Sequence, residues 1–231
     1  MNQPQAVRFF QVWDTYAKVV AANYMFHREL GEGIKTALRE RFSGRPFSVL
    51  DLGCGDAATF APLLEGLSLK SYQGVDLSEA ALALAKKNLS LLSCPVELTQ
   101  ADFMQALAEA PKQDVIYTSF ALHHLTTDRK ADFFQLAAQK LDPGGLLLLV
   151  DVAREEGESL TEYLQNYCSW LRQSMSGLEA GEQEQICDHL VNNDMPEPYS
   201  RLRTQAEAAG LKPLPGSTPH KWHRLMSFAL L

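Results

Sequence analysis

Residues 48–57, SVLDLGCGDA, begin with a short apolar run and end in a turn that contains two glycines. The run has the length of a β-strand, and the segment after it predicts a helix over residues 57–64. Gly53 and Gly55 allow a tight backbone turn and a close approach to a ligand, and the helix start would offer unpaired N–H groups. The stretch therefore predicts the strand–turn–helix unit of a nucleotide-binding α/β sheet.

Strand-length apolar runs alternate with helix-period segments on both sides of this unit, which is typical of a doubly wound sheet covered by helices. Ser78 is the predicted N-cap of the helix that follows the second strand. The predicted strands are 47–51, 72–76, 96–100, 115–120, 146–151, 211–214 and 222–230, and further predicted helices are 78–91, 128–141, 160–175, 179–191 and 200–209.

The chain is predicted to form one domain over its 231 residues, with helices added before and after the sheet. Phe9, Trp13, Tyr16 and Val20 recur at helical spacing and indicate leading helices, whose apolar faces would pack against the sheet or against a second copy in a homodimer. The predicted parts are the leading helices (1–45), a cofactor-binding core (46–151), a helical lid (152–198) and a C-terminal helix with strands (199–231).

Composition excludes several classes of partner and location. A net charge of -7 argues against nucleic acid, because phosphate contacts need clustered Lys and Arg. The N-terminus lacks the basic and apolar pattern of a signal sequence, and the most apolar run, 146–150, is far too short to span a membrane. The four cysteines show no Cys-x-x-Cys spacing, so reduced thiols in a cytoplasmic protein are expected.

Acidic residues around the glycine turn indicate which cofactor it binds. Asp76, at the end of the second strand, stands where an acid binds ribose hydroxyls. Residues 53–58 also fit the loose dinucleotide fingerprint, so an NAD-dependent oxidoreductase remains an alternative. Asp51 and Asp56 would however repel a pyrophosphate, whereas Asp51 can bind a cationic amino group. Asp102 can accept a hydrogen bond from an adenine amino group, and the aromatic ring of Phe103 can cover the adenine ring.

Together these segments resemble the class I S-adenosylmethionine-dependent methyltransferases, particularly small-molecule enzymes similar to those of ubiquinone biosynthesis. The resemblance spans residues 49–150, and Ala57 stands where a third glycine is common. It implies a Rossmann-like, mostly parallel seven-stranded sheet with an antiparallel last strand. The matching motifs, in order, are DLGCG (51–55), GVDLS (74–78), ADF (101–103), SFALHHL (119–125) and LDPGG (141–145).

The resemblance also implies a function: transfer of the methyl group of S-adenosyl-L-methionine to a small molecule, with an oxygen or nitrogen acceptor favoured. A cofactor-binding protein without catalysis is a second alternative. The identity of the acceptor is not readable from the sequence. The residues implied for the cofactor are Asp51, Gly53, Cys54, Gly55, Asp76, Leu77, Asp102, Phe103 and Ser119.

His123 and His124 follow the fourth strand, at the sheet edge where ligands bind in such folds. Either one is a candidate general base, and structural roles for both are equally compatible with the pattern. No third ligand stands at a metal-site spacing from them, so no metal is predicted. Candidate acceptor contacts, each equally suited to packing, are Tyr16, Tyr24, His27, Arg28, His220 and Trp222.

Overall fold

A computed structural model describes residues 14–215 and 219–230 of the chain. Its seven strands form one sheet in the order β3-β2-β1-β4-β5-β7-β6, parallel from β3 to β5 and antiparallel at β7. The predicted fold class and its reversed last strand are confirmed. The strands are β1 (Phe47–Leu52), β2 (Leu69–Asp76), β3 (Val96–Gln100), β4 (Gln113–Ser119), β5 (Leu141–Val152), β6 (Leu211–Pro213) and β7 (His223–Leu230).

The first helix, α1, is described over residues 14–21, so the predicted helical positions Phe9 and Trp13 lie outside the described residues. Ser78 caps α3 as predicted, since the Ala81 N–H donates to its Oγ at 3.2 Å. The other helices are α2 (His27–Phe42), α3 (Glu79–Asn88), α4 (Phe103–Glu109), α5 (Thr127–Lys140), α6 (Leu160–Ser174), α7 (Ala180–Asn193) and α8 (Tyr199–Ala208).

Helices cover both faces of the sheet. Successive strand residues point to opposite faces, so Val49 packs in one hydrophobic core and Leu50 in the other. The first core includes Ile34 of α2, and the second includes Phe133 of α5 and Leu202 of α8. Burial on both faces explains why the central strands are continuous apolar runs.

The helix predicted over residues 57–64 is wrong. Turns occupy residues 53–60, and only a single 3-10 turn, Ala61–Leu64, follows. Pro62 has no N–H to donate inside a helix, and Ala57 has a left-handed φ of 55° that an α-helix does not accept. The glycine turn therefore leads into a loop, and no helix N-terminus stands behind it.

A third hydrophobic core joins α6 and α7 to the N-terminal region. Tyr163 and Leu171 of α6 pack there with Leu190 of α7 and Val19 of α1. The Ser159 side chain and the Glu162 carboxylate form a capping box at the start of α6. In the described part of the chain, no helix has the length and apolarity needed to cross a membrane.

Asp114, at the start of β4, is a structural carboxylate far from the cavity described below. It accepts hydrogen bonds from the Ser48 N–H at 3.0 Å and from Lys70 Nζ at 3.0 Å, and Arg45 lies 3.2 Å away. Burial raises the pKa of Asp114, but these donors and cations outweigh it and hold the pKa below the usual value.

Candidate active site

A cavity of about 340 Å³ opens at the carboxyl ends of β1, β2 and β4, the edge at which ligands bind in doubly wound sheets. The glycine turn and the strand ends form one side of it, and α1 and α7 contribute to the other. The lining residues are Tyr16, Asp51, Gly53, Cys54, Gly55, Asp56, Thr59, Phe60, Asp76, Tyr117, Ser119, Phe120, His124 and His189.

The glycine turn is held against the end of β2. The N–H groups of Gly53 and Cys54 both donate to the Val75 carbonyl, at 2.8 and 2.9 Å. Gly53 and Gly55 have φ values of 72° and 54°, which strongly favour glycine. The turn therefore places bare backbone at the cavity wall, as the sequence predicts.

Asp51 is a buried carboxylate at the cavity wall, only 1% exposed. Burial raises its pKa to about 7, although the Tyr72 hydroxyl, which donates to Asp51 Oδ2 at 2.5 Å, lowers it in part. A cationic group beside this carboxylate would favour its ionised form and lower its pKa again. Asp51 thus favours a positively charged group in the cavity.

Asp76 is oriented by backbone donors on both of its carboxylate oxygens. The Gly55 N–H donates to Oδ2 at 2.9 Å, and the Ser78 N–H donates to Oδ1 at 2.8 Å. Each carboxylate oxygen has a second acceptor site, so Asp76 can still accept hydrogen bonds from ligand hydroxyls. Its contact with a ribose stays a prediction.

Aromatic side chains form the floor of the cavity. Phe60 stacks on Tyr117 with ring centroids 3.8 Å apart, and Tyr16 reaches the cavity from α1. Phe120, at the end of β4, has a φ of 50°, a strained value for a bulky residue of the kind that clusters at functional sites.

The two predicted bases separate in the structure. His124 lines the cavity, whereas His123 is buried behind it with Nδ1 2.5 Å from Asp151 Oδ1. Burial lowers the pKa of His123, but the carboxylates of Asp151 and Asp194 outweigh it and raise the pKa. Only His124 is thus placed to touch an acceptor.

A buried lysine supports the segment behind His123. Lys130 is 1% exposed, and burial lowers its pKa to about 8. Its Nζ donates to the carbonyls of Leu125 and, at 2.7 Å, Met195. These bonds tie the chain after the histidine pair to the segment after α7.

Three residues predicted to bind the cofactor lie outside the cavity lining. Leu77 is 67% exposed, and its carbonyl accepts a hydrogen bond from Gln100. Asp102 caps α4 by accepting from the N–H groups of residues 104 and 105, and Phe103 packs on Phe133. Their contact with the cofactor stays a prediction.

The predicted acceptor contacts are also divided. Tyr16 lines the cavity, and His27 lines a small neighbouring cavity next to Ser119, where neither of its ring nitrogens has a hydrogen-bond partner among the described residues. The hydroxyl of Tyr24 accepts a hydrogen bond from the Gly177 N–H, and Arg28 donates to the carbonyl of residue 21.

At the C-terminal end, His220 stacks on Phe26, and Trp222 packs among the aromatic rings of α6 and donates to Glu158. Neither of these two residues lines the cavity, so their predicted contact with an acceptor has no geometric support and stays a prediction.

Sequence reasoning missed several residues at the site, among them His189 and Asp194. His189 of α7 lines the cavity, and Asp194 follows α7 and lies 3.3 Å from His124 Nδ1. No local signal marks either residue, because about 65 to 70 positions separate them from the histidine pair. Tyr117, Thr59 and Phe60 were also missed, since apolar runs do not show which side chains face a cavity.

Comparison with known proteins gives a family model described as "Methyltransferase domain" that matches residues 49–145. The chain is 24% identical to a carboxy-S-adenosyl-L-methionine synthase of Campylobacter concisus over 87% of this chain and 83% of that protein. It is 32% identical to a tRNA N(3)-methylcytidine methyltransferase of Drosophila melanogaster over 48% of this chain and 36% of that protein.

Among solved structures, an S-adenosylmethionine-dependent methyltransferase from Clostridium acetobutylicum shares the fold. It superposes with a TM-score of 0.63 at 12% identity, over 96% of this chain and 97% of that chain. The likeness therefore extends beyond the span of the family model to the elements at both ends of the chain.

Proposed function

We propose that this chain, a class I S-adenosylmethionine-dependent methyltransferase, methylates an oxygen or nitrogen of a small neutral or cationic molecule. The charge of the cavity carries the proposal. Its described lining contains three aspartates, Asp51, Asp56 and Asp76, and no lysine or arginine. Such a wall attracts a cationic group and disfavours polyanionic ligands such as phosphates.

The residues fit the cofactor, which carries an ammonium group, a carboxylate and a sulfonium and, when bound, supplies an electrophilic methyl group. Asp51 offers a buried carboxylate to the ammonium, and Asp76 offers acceptor sites to the ribose hydroxyls. The turn at Gly53 and Gly55 lets the ligand approach the backbone closely. NAD, the alternative, would place a pyrophosphate near Asp51 and Asp56 with no cation in the described lining.

Tyr16, His124 and His189 form the acceptor side of the cavity in this proposal. They orient the acceptor's lone pair toward the methyl group. Such orientation contributes much of the rate acceleration of a displacement reaction. His124 can take the acceptor's proton as the new bond forms. His123 does not touch the acceptor and instead anchors the turn that carries His124.

We assign residues 152–198 as a lid over this acceptor side. α7 contributes His189 to the cavity, and Lys18 of α1 contacts Glu182 of α7 at 2.6 Å. The lid excludes water from the reacting groups. A cytoplasmic location is part of the proposal, because all four cysteines are free thiols.

Two other acceptor classes are suggested by the names of relatives. One relative acts on tRNA, but a chain of net charge -7 with an acidic cavity is poorly suited to a polyanion. The other is named for making a carboxylated cofactor, and the described lining holds no lysine or arginine to pair with the additional carboxylate of that product.

The test is to incubate the protein with methyl-labelled S-adenosylmethionine and a panel of alcohols, phenols and amines, with tRNA and small carboxylic acids in separate reactions, and to follow label and cofactor products by mass spectrometry. Acceptor-dependent formation of S-adenosylhomocysteine with labelled product supports the proposal. Labelled tRNA, a carboxylated cofactor, or cofactor binding without turnover over the whole panel would each replace it. His124→Ala should lower turnover, whereas Asp132→Asn, an exposed change on α5, should not.

A further inference from the structure

Three histidines converge on one buried carboxylate at the acceptor side of the cavity. Asp194 is 4% exposed, and its Oδ1 lies 3.3 Å from His124 Nδ1 and 4.0 Å from His189 Nε2. Its Oδ2 lies 3.5 Å from His123 Nε2. Asp194 Oδ1 nevertheless accepts no hydrogen bond from any residue that the structure describes. A buried carboxylate oxygen in that state is costly unless a cation sits nearby.

We propose that His123, His124 and Asp194 bind a divalent transition-metal ion of the Zn²⁺ type. Their ligand atoms all lie within 4.8 Å of one another. Two atoms that bind the same tetrahedral zinc at about 2.0–2.1 Å are about 3.3–3.4 Å apart. His124 Nδ1 lies 3.3 Å from Asp194 Oδ1, close to that edge length, and His123 Nε2 lies 3.5 Å from the other oxygen, Oδ2. The three ligand atoms must therefore draw together from a spread of up to 4.8 Å when the ion binds.

The surroundings of His123 support ligation. Nδ1 lies 2.5 Å from Asp151 Oδ1, so this buried carboxylate engages that nitrogen and leaves Nε2, which lies 3.5 Å from Asp194 Oδ2, to bind the ion in exchange for a proton. A carboxylate that orients a histidine in this way is the usual outer partner of a zinc ligand. The Asp151 carboxylate also accepts from the His123 N–H, at 3.1 Å, which fixes the backbone of the same residue.

The remaining coordination position faces the cavity. His124 and His189 both line it, and three protein ligands with one open position are typical of catalytic zinc. His189 would become a fourth ligand by a small side-chain rotation or leave that position to an acceptor heteroatom. The second role rests on the proposed function, because the ion would then lower the pKa of a bound hydroxyl in place of a histidine base.

The test is direct metal binding without acceptor. The protein is stripped with a chelator, and Co²⁺ is titrated as a spectroscopic probe, followed by Zn²⁺ competition against a chromophoric chelator. We expect one ion per chain, and a visible Co²⁺ spectrum of tetrahedral nitrogen and oxygen ligation. His124→Ala, a change at an exposed side chain, should weaken binding by about 100-fold or more, since losing even an outer-shell partner costs about 10–100-fold.

Three controls separate this site from others. Asp188→Asn changes an exposed aspartate of α7 next to His189 and should bind as the unaltered protein does. Cys168→Ala should also bind normally, because a thiolate site would instead show intense sulfur-to-cobalt absorption. Asp194→Asn should lose binding, and its thermal unfolding shows whether it folds.

The inference is overturned if the protein takes up no stoichiometric Co²⁺, if binding survives in His124→Ala, or if it disappears in Cys168→Ala. In those cases methyl transfer measured in chelator-treated protein would leave the proposed function intact, with His124 acting as the base. If the unaltered protein binds one Co²⁺ per chain but transfers no methyl group to any acceptor of the panel, that result would count against the proposed function alone.

Discussion

Protonation of Asp51 should control cofactor affinity near neutral pH. Its pKa is raised to about 7 by burial, so about half of the free protein carries a neutral Asp51 at that pH. A bound ammonium group favours the ionised form, so binding releases a proton. The affinity for the cofactor is therefore highest above this pKa and decreases as the pH falls through it.

The magnitude follows from the ionised fraction. The ionised fraction of Asp51 falls from about one half at pH 7 to about one eleventh at pH 6. The Kd for S-adenosylmethionine should therefore rise about fivefold between pH 7 and about pH 6, and nearly tenfold more between about pH 6 and about pH 5. Titration calorimetry at several pH values measures the Kd. Repeating it in buffers of different ionisation enthalpy measures the proton released, about half a proton at pH 7.

Variants test the cause. Asp51→Asn should bind weakly with little pH dependence over this range, and Asp132→Asn should keep the full dependence. Tyr72→Phe removes the hydroxyl that lowers the Asp51 pKa and should move the curve to higher pH. A Kd that is independent of pH in the unaltered protein, or an equal slope in Asp51→Asn, would refute the reasoning.

Three further predictions concern stability, measured by urea unfolding. Lys130→Met should lower the free energy of unfolding by about 3–5 kcal/mol, because it leaves two buried carbonyls without their donor and removes a positive charge that acts on nearby carboxylates. A loss below about 1 kcal/mol would contradict this. Asp114→Asn should cost about 1–3 kcal/mol near pH 7. The Asp114 pKa is depressed in the folded protein, so that loss should shrink as the pH falls through this lowered pKa, and a loss that persists in acid would exclude the electrostatic cause. Gly53→Ala should lower the free energy of unfolding by about 1–2 kcal/mol, because φ is 72° and the new Cβ would lie 3.2 Å from Ala121 Cβ. An unchanged unfolding midpoint would contradict this and show that the turn can relax.

The lid proposal rests on contacts between segments that are far apart in the chain. Glu182 of α7 binds Thr15 and Lys18 of α1, and the Tyr24 hydroxyl accepts from the loop between α6 and α7. Helical periodicity predicts α6 and α7, but their docking depends on side chains more than 150 residues away. That distance explains why His189 could not be assigned to the site beforehand.

The predicted helix that the structure contradicts lies where helix propensity competes with a proline and a turn. Residues 57–64 have helix-forming alanine and leucine, and the expected helix is nevertheless replaced by turns and one 3-10 turn. Pro62 was visible in the sequence and outweighs the helix propensity of its neighbours, since a missing N–H inside a helix costs about 3 kcal/mol. The left-handed conformation of Ala57 was not visible, because it follows from the way the turn packs on β2.

The sequence by itself determined the order of strands and helices, the glycine turn and the acids at the ends of β1 and β2, because these depend on periodicity and on neighbours in the chain. Only the tertiary structure decided that His124 faces the cavity while His123 is buried. It also decided that Leu77 and Trp222 lie outside the lining and that Asp194 completes a histidine cluster. Side-chain direction and long-range pairing depend on packing between distant segments, and a single sequence does not encode that packing in any local pattern.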